Sequence, residues 1–376
     1  MSEIFNAMYS GITSRINYKS LLFVPLILLG FMLFTILMKG IAMGIDFRGG
    51  TLITVTLNKN QSIDIDKLKL SLDELNLMDL EIYSGRDIVT GSEILTIRTL
   101  SIVNESEIKP ILERYLGRLR DTDVATIILK DQPPSDLEEK LRLRLRQNVD
   151  LNFSQDGKIL EISAYELDGN KLREILSYYL NENLTVSIDK KNFHMKTIGP
   201  TLGRAFWSQG MKSAIIAYIL IIFVIFVAFR DLIPSIAVIL AATFDVIFAL
   251  GGMSIFRIYL EPASLVAIIM LIGYSVDTNI LLTTRVLRKR TGSVNDRIDN
   301  AMKTGLTMSI TTICVMCVIS IISILTNIDV LASISSVLLM GLIGDLISTW
   351  LMNTGILKWY VEEKGGKLRI LKKRLR

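Results

Sequence analysis

Three aspartates stand where carboxylates are expensive. Asp277 lies in the mainly apolar run Ile268 to Leu282, and Asp245 and Asp345 lie in runs that look equally able to cross a bilayer. A carboxylate at the centre of a spanning helix costs roughly 2.5 to 3.5 kcal/mol on insertion scales, so it tends to face a protein interior or a water-filled path. The chemistry open to it there is uptake and release of charge, since a group at that depth exchanges a proton as its surroundings change. Hydroxyls keep these acids company. Gly273, Asp277, Leu281 and Thr284 fall on one face at helical steps, and Thr304, Thr307 and Thr311 make a comparable polar stripe in the next apolar run. Each threonine also has a plainer reading, a hydroxyl bonded back to its own helix. Asp277, Asp245, Asp345, Thr304, Thr307 and Thr311 are the proton-relay candidates, with structural hydrogen bonding as the alternative for each.

The elements that must hold these residues are membrane spans. Of 376 residues, 50% are hydrophobic and 21% charged, and the apolar ones fall in long blocks. A spanning helix needs about 20 mainly apolar residues. Six blocks qualify: Ser20 to Met38, Ser213 to Phe229, Leu232 to Phe256, Glu261 to Thr284, Gly305 to Leu325 and Val330 to Met352. The first is long for a signal h-region and no A-x-A-like site follows, so it reads as a retained anchor. Basic residues cluster before it (Arg15, Lys19), at Arg230, along the loop 285–304 and in the tail 353–376. These four segments share one side if there are six spans, which predicts cytoplasmic termini and an external region 39–212. The formal net charge of +5 then reflects loops and a tail beside anionic membrane lipid. No nucleic-acid partner is expected, because the basic residues track the topology.

Other chemistries are not supported. Cys314 and Cys317 share one apolar run and read as small packing residues, while His194 reads as a strand or surface residue. One histidine and no cysteine cluster argue against a zinc site, and no metal or cofactor is expected. The chain lacks G-x-x-x-x-G-K-[ST], H-E-x-x-H and G-x-S-x-G, so an enzyme of the NTPase or hydrolase kind is not expected. Work would come from an ion gradient or a partner.

The polar region reads as α+β. Thr51 to Leu57 and Ile94 to Arg98 are β-rich, and Asp66 to Leu75 has helical spacing. Glu105 to Leu116 suggests a second helix interrupted by Pro110, and Gln132, Pro133 and Pro134 form a joint. Ser135 and Glu138 then make a capping box for Asp136 to Arg146. Strand Ile159 to Ala164, helix Asn170 to Leu180 and strands Leu184 to Ile188 and Phe193 to Ile198 follow. Two strand–helix–strand units in succession suggest one ferredoxin-like layer.

Several strings carry a family resemblance in the right order over nearly the whole chain. They are Gly44, Asp46, Phe47, Gly49 and Gly50 after the first span, Gly199 and Pro200 before the second, Phe244-Asp245 in the third, and Gly273, Tyr274, Ser275, Asp277 and Thr278 in the fourth. They resemble SecF, the protein-export subunit that works with SecD, and both are similar in membrane fold to RND transporters. Gly273 to Thr278 followed by Asn279, and Thr349-Trp350-Leu351-Met352-Asn353 in the last span, resemble the archaeal branch. Two positions depart from the bacterial pattern: Phe244 stands where bacterial forms tend to carry histidine, and Thr304, beside Lys303, where they have an arginine.

The resemblance implies an α-helical membrane bundle of six spans, half of an RND-like fold, with a large external α+β domain in the cell membrane. It implies a SecD-like partner, the Sec translocation channel, a translocating polypeptide and use of the proton gradient. A half-size exporter of lipids or small molecules and a purely structural translocon subunit are the alternatives. The glycine motifs read as structural turns.

Overall fold

The computed structural model describes residues 18–57, 64–86, 91–129, 134, 136–153, 159–180, 186–288, 293–326 and 328–362. The N-terminal segment through residue 17, the tail from 363, Gln132, Pro133 and Ser135 of the expected joint and capping box, and residues 289–292 of the basic loop lie outside them. The chain divides into two compact units, Met1–Gly49 with Ile198–Arg376, and Gly50–Thr197.

In chain order, α1 (Tyr18–Lys39) and the single turn α2 (Ile45–Arg48) precede β1 (Gly50–Leu57), α3 (Ile65–Asp73), β2 (Glu81–Arg86), β3 (Glu93–Thr99) and α4 (Glu105–Leu116). Then come β4 (Asp123–Ile128), α5 (Leu137–Leu145), β5 (Val149–Phe153), β6 (Ile159–Ala164), α6 (Gly169–Leu180), β7 (Val186–Asp189) and β8 (Phe193–Ile198). The long helices α7 (Pro200–Phe229), α8 (Leu232–Phe256), α9 (Pro262–Arg288), α10 (Val294–Leu325) and α11 (Asp329–Ile347) follow, with a π-helical stretch Ser348–Asn353 continuing the last.

The α+β unit holds two sheets where the sequence suggests one layer. Their strand orders are β2-β3-β1-β8 and β5-β6-β4-β7. Each set of elements runs strand–helix–strand–strand–helix–strand, and each order is ferredoxin-like. The second fold, β4 to β7, is inserted between α4 and β8 of the first. In β1, Ile53 and Val55 face inward opposite Ile97 and Leu95 of β3, and Leu68, Leu72, Ile108 and Leu112 of the helices close that core. Ala125, Ile127, Leu160 and Ile162 do the same beneath Leu137, Leu141, Leu172 and Leu176. The chain segments into and out of the insertion are clasped. Arg120 N donates to Asn192 Oδ1 at 2.7 Å and Asn192 N to Arg120 O at 3.0 Å. Helix α4 runs unbroken through Pro110.

Among the described residues, six helices are long and apolar enough to cross a membrane. Several extend past their apolar blocks: α7 starts at Pro200 and α10 at Val294, the latter after a capping box between Ser293 and Asp296. Helix α8 lies among the others because small residues let neighbours close in. A Cβ on Gly251 would lie 2.7 Å from Met32 Sδ of α1, and one on Gly252 would lie 3.0 Å from Met340 Cγ of α11. Gly341 and Gly344 pack in the same way against Leu271 and Phe248. In contrast, α7 and much of α10 expose isoleucine, leucine and valine, a surface suited to lipid or another apolar chain. Cys314 is on that exposed part of α10, so the packing role expected for it is not seen within this chain; both thiols are free.

Candidate functional site

The glycine motifs build the turns that flank the spans. Gly44 N donates to Leu260 O at 2.9 Å and Leu260 N donates to Ala42 O at 2.7 Å. A Cβ on Gly44 would sit 2.4 Å from Glu261 Cγ, so a side chain there would displace the Glu261 side chain. Gly49 has φ +87° and its Cβ would meet Pro200 Cα at 2.9 Å, while a Cβ on Gly203 would meet Gly49 N at 2.9 Å. Phe47, buried, stands edge-on to Trp207 with ring centres 5.4 Å apart. Gly44, Asp46, Phe47, Gly49, Gly199 and Pro200 thus gather at one junction, with Gly50 opening β1.

The proton-relay candidates separate into two places. Asp277 is exposed on α9, as is Gly273, and Thr307 and Thr311 are exposed on α10. Their hydroxyls do bond backwards, Thr307 Oγ1 to Lys303 O at 2.8 Å and Thr311 Oγ1 to Thr307 O at 2.7 Å. Thr304 differs: its Oγ1 accepts from Arg285 Nη1 at 2.9 Å, and the same nitrogen reaches Asn300 O at 2.7 Å. The Arg285 guanidinium, just past the apolar block of α9, therefore meets α10 at Thr304, the position where the bacterial pattern would put an arginine.

Asp245 and Asp345 lie elsewhere, at 0% exposure inside the bundle. Ser275 Oγ donates to Asp245 Oδ2 and is also a neighbour of Asp345, as is Thr278. Thr349 Oγ1 donates to Asp345 Oδ1 at 2.9 Å, and Ser348 lies by Asp245. One turn along α9, Asn279 Nδ2 donates to Ser275 O at 2.8 Å and accepts at Oδ1 from Asn353 Nδ2 at 2.6 Å. The π-helical stretch supplies Ser348, Thr349 and Asn353, all with 0% exposure. π-Turns recur at functional sites.

Asn279, Thr283, Ser348, Thr349 and Asn353 are the residues that sequence reasoning missed as a site. The signal was there. Ser275, Asn279 and Thr283 recur every four residues on α9, as do Asp345, Thr349 and Asn353 on the last span.

Comparison with known proteins decides the family. Residues 179–363 match the family described as protein export membrane protein SecD/SecF, C-terminal, and residues 34–61 match the SecD/SecF GG motif. The protein-export membrane protein SecF of Methanothermobacter thermautotrophicus is 36% identical over 78% of this chain and 98% of its own length. This chain belongs to the SecD/SecF family. The SecF of Pyrococcus furiosus is 34% identical over 80% of this chain and 97% of its own length. The SecF of Methanocaldococcus jannaschii is 41% identical over 57% and 76% of the two chains. Among solved structures, SecDF of Thermus thermophilus, a translocon-associated membrane protein, superposes with a TM-score of 0.54 at 15% identity. That match covers 90% of this chain and 58% of the SecDF chain, and it shows the fold alone. The family assignment and the six apolar helices make this a multi-pass membrane protein with a large external domain.

Proposed function

We propose that this chain is the SecF-like subunit of the Sec export apparatus and that it works with a SecD-like partner packed on the exposed polar face of α9 and α10. The external domain engages emerging polypeptide, and the six spans couple that engagement to proton movement through Asp277. In this reading both termini are cytoplasmic and the bundle is one half of an RND-like pair.

The observation that carries the proposal is the position of Asp277. Its side chain is exposed on a span of this chain, and facing hydrocarbon it would cost several kcal/mol. From Ser20 to Met38, Ser213 to Phe229, Leu232 to Phe256, Glu261 to Thr284, Gly305 to Leu325 and Val330 to Met352 there is no lysine, arginine or histidine. Charge compensation for Asp277 within the membrane therefore comes from a proton, from water, or from a group on another chain. A partner covering Gly273, Asp277, Thr307 and Thr311 supplies the protein interior that an intramembrane carboxylate requires.

The test is affinity purification from native membrane with partners identified by mass, combined with cysteine cross-linking from Thr307 and Thr311 in a cysteine-free background. Cross-links from both positions to one SecD-like chain are expected. A stable isolated monomer with full export-stimulating activity would remove the pairing argument.

A further inference from the structure

Asp277 faces outward and a partner chain can complete its surroundings, but Asp245 and Asp345 are at 0% exposure within this chain. No partner side chain reaches them there. Helices α1, α8, α9 and α11, which pack around the pair, carry no lysine, arginine or histidine in their apolar blocks. The other titratable groups on these helices are Tyr274 and Asp277 of α9, both exposed, Tyr18, Lys19, Lys39, Arg285, Arg288 and Asp329 toward helix ends, and Lys358, Tyr360 and Glu362 past the π-helical stretch. Arg285 is engaged with Asn300 and Thr304. Two carboxylates that share Ser275 as a neighbour cannot both stay ionised at this depth without a counter-charge.

The polar atoms around them show where the charge compensation enters. Each carboxylate has one oxygen bonded to a hydroxyl, and the second oxygens, Asp245 Oδ1 and Asp345 Oδ2, have no hydrogen-bond partner. The orientation of the two asparagines is fixed in sequence. Asn279 must turn its Nδ2 to the Ser275 carbonyl, so its Oδ1 faces Asn353 and Asn353 must donate. That leaves Asn353 Oδ1 as a buried acceptor without a donor, and one turn beyond Asn279 the buried Thr283 Oγ1 is also unpartnered. Four unpartnered polar atoms therefore accompany two facing stripes, Ser275–Asn279–Thr283 and Asp345–Thr349–Asn353. Along α9 the stripe runs toward the end that holds Arg285.

From this placement we infer that Asp245 and Asp345 form an enclosed proton-binding site belonging to this chain alone, loaded along the Ser275–Asn279–Thr283 stripe from the Arg285 end of α9. Uptake breaks an O–H bond of hydronium in the water at the Arg285 end and forms one on a carboxylate oxygen, and release reverses both steps and returns the proton to that water, so no other reactant is needed. The use of this site in export rests on the proposed coupling role, whereas its existence does not.

The test is infrared difference spectroscopy of the full chain in lipid at neutral pH, reading the carbonyl stretch of protonated carboxylic acids. Wild type should show this band, Asp245→Asn and Asp345→Asn should each diminish it, and Asp277→Asn should retain it. A wild type without the band, or a band indifferent to both inner substitutions, overturns the site. Thr283→Val is nearly isosteric and breaks no hydrogen bond, and Asn279→Leu interrupts the stripe more fully. Both should keep the band and slow its hydrogen–deuterium exchange by about tenfold, while unchanged exchange in both overturns the route. Neither readout involves export, so loss of this site and loss of the coupling role are separate results.

Discussion

Ser275 and Asp277 are two residues apart on one helix and serve opposite surroundings: Ser275 is buried and donates to Asp245, while Asp277 is exposed. Two residues of α-helix turn the side-chain direction by roughly 200°, so one short string supplies both an internal polar cluster and an outward acid. The family string Gly273 to Thr278 reads as a single motif in the sequence, but in the fold it has two faces.

The junction around Gly49 sets a packing prediction. A Cβ at Gly203 would stand 2.9 Å from Gly49 N and 3.0 Å from Phe47 O, both backbone atoms that cannot step aside. Gly203→Ala should cost about 1 to 3 kcal/mol, seen as a lowered thermal midpoint of the detergent-solubilised protein. Gly273→Ala meets nothing within 4 Å and, placing a better helix former inside α9, should leave the midpoint unchanged or slightly raised; an equal loss at both positions would contradict the account of the junction.

Within the inserted ferredoxin-like fold, Asp123 is 2% exposed and accepts from Leu167 N at 2.9 Å, Lys190 Nζ at 2.8 Å and Lys191 N at 2.8 Å. Burial pushes its carboxyl upward, but the bonds from Lys190 and the two amides outweigh this and hold it below the ordinary carboxylate range. A value lower in the folded than in the unfolded state gives stability that is present above the unfolded value, roughly pH 4, and lost as pH falls through the folded one. Asp123→Asn should therefore lose about 2 kcal/mol at pH 7. In urea unfolding of residues 50–197 the gap should narrow as pH drops below about 4; a gap that is independent of pH would show that charge is not its source.

Topology is tested from outside the fold. In a cysteine-free background, a cysteine at Arg290 should label only from the cytoplasmic side and one at Tyr165 only from the external side. Outside-only labelling at Arg290 would reject the proposed orientation.

Much of this organisation is legible in the sequence because length and apolarity alone identify spans. The six blocks, the acids within them and the glycine turns can all be read that way. The direction Asp277 faces cannot, since lipid and protein interior are equally apolar and hydrophobic periodicity does not tell them apart. Nested ferredoxin-like folds are hidden for another reason: β8 joins β1 across an insertion, a long-range pairing that no local pattern encodes. Strands β2, β4 and β5 are only five or six residues long, and although Val149 to Phe153 alternates cleanly, runs so short are left in what reads as loop. The Asn279–Asn353 contact, at 2.6 Å across 74 positions, turns two family strings into one site only once the helices are packed.

The most direct measurement of the coupling claim is export in cells or membrane vesicles carrying Asp277→Asn, with and without a proton gradient. Asparagine keeps the size and much of the hydrogen bonding but cannot titrate. The variant should insert and assemble normally, export poorly, and show residual export that is insensitive to the gradient, whereas wild-type export should fall when the gradient is collapsed. A fully active variant, or wild-type export already indifferent to the gradient, would contradict proton coupling through Asp277 and favour a structural subunit.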